Sequence, residues 1–126
     1  MEQISNVVNW FEIPVTDFER ARKFYAAIYE KELQEMEMGP LRMGFLPMDT
    51  RTGIGGAICR GEGYVPSQNG TLVYLNAGTD LTNMLNRIEP AGGLVVLPKT
   101  LITEEIGYYA IFVDSEGNKV ALHSPK

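Results

Sequence analysis

The chain has 126 residues, 44% of them apolar and 21% charged, with a formal charge of −5. That length suits one domain with its own core; the acidic balance gives no basic face for nucleic acid, and no apolar run reaches the ~20 residues that span a bilayer. A single cysteine, Cys59, excludes an internal disulfide, and "MEQISNVV" has no basic-then-apolar signal pattern, so a cytoplasmic protein is expected.

A first strand is predicted over about Val7 to Val15, where Phe11, Ile13 and Val15 alternate with Trp10 and Glu12. "TDFERARKFYAAIYEK" then reads as a helix. Thr16 and Glu19 have capping-box spacing, and Phe18, Ala21, Phe24, Tyr25 and Ile28 form a stripe at helical period. Arg20, Arg22, Lys23 and Glu30 take the wet side. "LQEMEMG" and "LRMGFLPM" are extended pieces separated by Gly39-Pro40, and "GGAICR" follows the turn-rich "DTRTG".

After the loop "GEGYVPSQNG" the same order returns. "TLVYLNA" is a predicted strand, and "TDLTNMLNRIEPAGG" a helix with Leu81, Met84, Leu85 and Ile88 on one stripe. "LVVLPKT" and "IGYYAIFVD" are extended. The turn "DSEGN" leads into the last strand, "KVALHS", its glycine suited to a left-handed hairpin position. The echo of "VTDF" in "GTDL" at the two helix starts supports a repeat. The reading is an α+β fold of two tandem βαβββ modules in one domain, residues 1–126. Module 1 covers about 6–60, a linker 61–70, and module 2 about 71–124. Each helix is expected on an outer sheet face, leaving the inner faces to form a concave cleft where a ligand binds.

Together "WFEIPVTDFERARKFY", "GTLVYLNAGTDL", "AGGLVVLPKT" and "GYYAIFVDSEGNKVALHS" resemble the vicinal oxygen chelate superfamily, the glyoxalase, bleomycin-resistance and extradiol-dioxygenase fold, in its small glyoxalase-like branch. The resemblance covers about residues 6 to 124 and implies a half-open mixed-sheet barrel and a homodimer. Metal-dependent members place His, Glu or Gln on the first and last strands of each module, where they hold a divalent ion against vicinal substrate oxygens. The matching positions here are Trp10, Ala57 or Ile58, Leu72 or Val73, and Ala121. None carries a ligating side chain, so no metal or other cofactor is expected. Glu12 and His123, two positions beyond Trp10 and Ala121, supply two substitute ligands where a catalytic ion wants three.

Glu12 is the candidate general base, because an inward carboxylate would be desolvated and its pKa raised toward the working range; the alternative is a paired or solvated glutamate. Trp10, Tyr74, Asn76, Tyr108 and His123 complete the expected ligand cleft. Only one of Tyr108 and Tyr109 can point inward, and His123 also reads as a surface or dimer-edge residue. Cys59 reads as a buried structural thiol. Met36, Met38, Met43 and Met48 read as an adaptable apolar wall or as plain core. "GIGGAI" opens no helix and carries no phosphate-binding logic, and no Ser-His-Asp set or Rossmann fingerprint is present. Two functions compete for these residues: a metal-independent glyoxalase-like lyase or isomerase acting on a small organic substrate, and a non-catalytic small-molecule or drug-binding protein. A metal enzyme with displaced ligands and a scaffold with an unused pocket are the remaining readings.

Overall fold

The computed structural model of the chain describes residues 1–126 and contains ten elements. The first half holds β1 (Trp10–Pro14), α1 (Phe18–Tyr29), β2 (Gln34–Met38), β3 (Leu41–Phe45) and β4 (Gly55–Arg60). The second holds β5 (Tyr74–Asn76), α2 (Thr82–Ile88), β6 (Leu94–Thr103), β7 (Gly107–Val113) and β8 (Lys119–Ser124). The strands form two sheets of four, ordered β1-β4-β3-β2 and β5-β8-β7-β6. In each, the strand before the helix pairs in parallel with the last strand of its half, and the other pairs are antiparallel. The α+β reading with tandem βαβββ modules is what the chain adopts. Both opening strands are shorter than the sequence suggests: β1 begins at Trp10 rather than Val7, and β5 keeps only the last part of "TLVYLNA". No helix is long and apolar enough to cross a membrane.

The stripe predicted on α1 is the buried one: Phe18, Ala21, Phe24, Tyr25 and Ile28 all leave solvent. They join Ile13 and Ile58 of the first sheet, Leu75, Ala110, Phe112, Val120 and Leu122 of the second, and Leu81, Met84 and Ile88 around α2 in one cluster. The helix-bearing faces of both sheets therefore close on a shared core, and α1 and α2 pack against each other. Each large side chain in it contributes about 1.5–3 kcal/mol of burial.

The capping of α1 differs from the expected box. Asp17, not Thr16, is the N-cap and accepts from the Arg20 amide at 3.1 Å. Glu19 turns outward to Arg22 and Arg42. Its expected partner role passes to Glu116 in the turn between β7 and β8, which accepts the amides of Thr16 at 3.0 Å and Asp17 at 2.7 Å and binds the Arg20 guanidinium. Beside it, buried Asp114 accepts from the Tyr25 hydroxyl at 2.6 Å and from the amides of Glu116 and Asn118, while the Asn118 side chain donates to the Pro14 carbonyl. Gly117 takes φ 95°, the turn position expected for it. So the "DSEGN" turn of the second module is bonded to the strand–helix junction of the first.

Strand alternation leaves the opposite, helix-free faces to Trp10, Glu12, Ala57, Cys59, Met43, Phe45 and Met36 in the first sheet. In the second they carry Tyr74, Asn76, Ala121, His123, Tyr109 and Ile111. Trp10, Met36, Met38, Tyr74 and Ile102 are exposed there.

Candidate functional site

Trp10 opens β1 on the helix-free face, 42% exposed, with its indole edge-on to Phe45 at 5.9 Å between centroids. Both rings line a cavity of about 500 Å³ at the end of the first sheet, together with Gln34, Leu46, Pro47 and Met48. The volume is that of a small-molecule pocket. Two glycines make room for its surroundings. A Cβ on Gly55 would meet Met48 Cγ at 2.9 Å, and one on Gly56 would meet the Phe11 ring at 2.5 Å. The "GIGG" run thus serves close side-chain approach. Of the four methionines read as a wall, Met48 lines this cavity, Met43 is buried against Cys59, and Met36 and Met38 are exposed at the sheet edge.

Glu12 lies on the same face, but exposed, and its carboxylate accepts from the Tyr64 hydroxyl at 2.7 Å. It lines a separate cavity of about 320 Å³ with Pro14, Ser67, Thr71 and Lys119. The burial expected around a general base is missing there. Cys59 is fully buried on this sheet, and its thiol is pushed up to about 12 by burial first and then by the charge and hydrogen bond of Glu12.

The second sheet carries a third, shallower cavity of about 640 Å³, lined by Tyr74, Asn76, Ile102, Ile106 and His123. His123 Nε2 lies 2.7 Å from the Ile106 carbonyl, so that nitrogen donates and Nδ1 keeps its lone pair in the neutral ring. Asn76 Oδ1 accepts from the Gly78 amide, leaving its Nδ2 free to donate. Tyr109 stands over Tyr74 with ring centroids 6.2 Å apart. Tyr109, not Tyr108, therefore shares this face; Tyr108 packs against the core on the other side, with Lys99 Nζ 4.7 Å from its ring. The six residues expected in one cleft fall, within a single chain, into the Trp10 cavity, the Glu12 cavity, the Tyr74–Asn76–His123 cavity, and Tyr108 elsewhere. Phe45 and Tyr64 join these surfaces without having stood out in the sequence. Period-2 alternation from Met43 places Phe45 on the cavity face, whereas the Tyr64 contact depends on a loop whose path has no periodic signal.

No family model and no curated protein sequence matches the chain. Solved structures do. A glyoxalase I variant from Zea mays superposes with a TM-score of 0.71 at 20% identity, covering 92% of this chain and 46% of that one, so the chain spans just under half of that enzyme. TnmS3, an antibiotic-binding protein from Streptomyces, matches at a TM-score of 0.63 and 22% identity over 99% of this chain and 100% of its own. A glyoxalase-related enzyme from Fulvimarina pelagi matches at 0.63 and 15% identity, over 93% and 86%. The chain has the vicinal oxygen chelate fold.

Strand register shows what stands opposite the positions where the resemblance implies metal ligands. Trp10 is paired with Gly55 and Glu12 with Ala57; Tyr74 is paired with Ala121 and Asn76 with His123. Leu72 and Val73 precede β5, whose first residue, Tyr74, is the partner of Ala121. In β4, Ala57 holds the face while Ile58 points to the core. No group of three His, Cys, Asp or Glu side chains is placed so that it could hold a metal ion.

Proposed function

We propose that this chain binds a small organic molecule in the Trp10 cavity and does so without a metal or a covalent step. The observation that carries this is the cavity's makeup: a half-exposed indole, a second aromatic ring edge-on to it, and Leu46, Pro47 and Met48 as an adaptable apolar wall. The full-length likeness of fold to an antibiotic-binding protein supports the same reading. The lining holds no histidine or cysteine, and its one carboxylate, Glu32, is paired with Arg22. The test is a thermal-shift screen of aromatic compounds run beside Ni, Zn, Co, Mn and Fe. Organic hits that raise the melting temperature of the protein, and lose that effect in Trp10→Ala, support binding. A stoichiometric ion, or a rise with metal alone, overturns the metal-free reading.

A specific observation also favours a catalytic reading: the 2.7 Å Tyr64–Glu12 pair places a phenol and a carboxylate on one face beside the Trp10 strand. If turnover of a bound ligand is found, Glu12→Gln is expected to abolish it.

The protein acts as a homodimer in this reading. Met36, Met38, Tyr74 and Ile102 expose apolar surface on the helix-free faces, and β2 and β6 end each sheet with an unpaired edge. A second copy covering those faces accounts for both. Light scattering at twice the chain mass supports it; a monomer at micromolar concentration contradicts it.

A further inference from the structure

The Trp10 cavity holds two charged side chains, Lys31 and Glu32, which follow α1 directly. Their situations differ. Glu32 is bound by Arg22 Nη1 at 3.0 Å. The neighbouring carboxylates are also occupied: Glu30 by Arg87 at 3.4 Å, Glu35 by Arg42 at 2.9 Å, and Asp49, next along from Met48, by Arg51. Lys31 has no ion pair and no side-chain hydrogen bond. Arg22 also meets Glu19 at 3.1 Å and Glu35 at 3.8 Å, so Glu32 shares its guanidinium, and Lys31 is the one cation of the cavity lining that has no carboxylate partner. Gln34 and Thr50 line the same cavity, and their side chains likewise make no hydrogen bond within the protein.

We infer that the ligand of this cavity is an aromatic anion, two or three fused or linked rings bearing a carboxylate or similar acid, with the rings against Trp10, Phe45 and Met48 and the acid at Lys31. This deepens the proposed function and rests on the same cavity. The volume of about 500 Å³ accommodates such a molecule, and Gln34 and Thr50 supply further donors for the acid oxygens. A cationic aromatic would meet the same rings but would face Lys31 with like charge.

Trp10 is the only tryptophan, so its indole N–H gives a single resonance that reports on this cavity alone. The experiment follows that resonance in the ¹H–¹⁵N spectrum during titration with three matched probes: 2-naphthoate, 2-naphthamide and 2-naphthylmethylammonium. The carboxylate is expected to bind roughly fivefold tighter than the amide, the scale of one exposed charge pair. That preference is expected to shrink at high salt and to vanish in Lys31→Met, where carboxylate and amide bind alike. Equal binding of carboxylate and amide, or tightest binding of the ammonium, overturns the anion assignment and leaves the binding reading intact. A preference that persists in Lys31→Met overturns it in the same way. If none of the three shifts the Trp10 resonance saturably, both the anion assignment and the Trp10 cavity as a ligand site fail.

Discussion

Glu116 binds Arg20 across the two modules, carboxylate to guanidinium at 2.7 Å, with its side chain removed from solvent. The same carboxylate takes the amides of Thr16 and Asp17, so one residue of the second module closes the open N-terminus of α1 in the first. Burial pushes the Glu116 carboxyl up, but the Arg20 guanidinium and the two amides pull it below the usual carboxylate range. Glu116→Gln is expected to cost about 1–2 kcal/mol at neutral pH, with the charge of Arg20 left in water and the amide contacts weakened.

The pH dependence follows from the direction of that shift. A carboxyl held lower in the folded state than in the unfolded chain, where it titrates near about 4.3, stabilises fully above that value. The contribution is lost as pH falls through the lower folded value. The stability gap between the wild type and Glu116→Gln is therefore expected to be flat from neutral pH down to about 5 and to narrow below about 4. Urea melts of both proteins across that range measure it; a gap that grows in acid contradicts the assignment.

Gly55 shapes the cavity through Met48. A methyl at Gly55 would meet Met48 Cγ at 2.9 Å and Cε at 3.1 Å, and this long side chain can swing away. Gly55→Ala is expected to cost about 1 kcal/mol of stability, while the displaced Met48 changes the cavity wall. Loss of ligand affinity with a near-native melting temperature is the expected pair of results. Unchanged affinity would show that Met48 does not contact the ligand.

Burial, and then Glu12, hold the Cys59 thiol far above neutral pH, so it is expected to be unreactive. Iodoacetamide at pH 8 is expected to leave the native protein unlabelled over hours and to label it stoichiometrically in denaturant. Rapid labelling of the native protein would place a reactive thiol on the helix-free face.

Much of this fold is legible in the sequence because its signals are periodic. The stripe from Phe18 to Ile28, the alternation of "GGAICR" and "KVALHS", and the recurrence of both modules give element order directly. The α1 cap is not legible, because Thr16 and Glu19 match a local rule while the residue that takes the Thr16 and Asp17 amides is a distant one, Glu116. The Tyr74 register escapes for a related reason: β5 is three residues long, and so short a strand has no alternation of its own to fix its face. The site is legible only in part. The sequence puts Trp10 and Glu12 on one face, where they are, but each cavity is completed by a different segment, Phe45 to Thr50 beside Trp10 and Val65 to Thr71 beside Glu12. The free charge of Lys31 depends on where Arg22, Arg42, Arg51 and Arg87 find their partners, and that pairing is tertiary.

Whether the Trp10 cavity is the ligand site is tested most directly by a titration of two-ring aromatic compounds followed by the Trp10 indole resonance, with the resonances of Tyr64 and His123 recorded in parallel. A saturable shift of Trp10, with Tyr64 and His123 unmoved and binding lost in Phe45→Ala, is the expected result. Binding that moves Tyr64 or His123 while Trp10 stays fixed would contradict the account and place the ligand in one of the other two cavities.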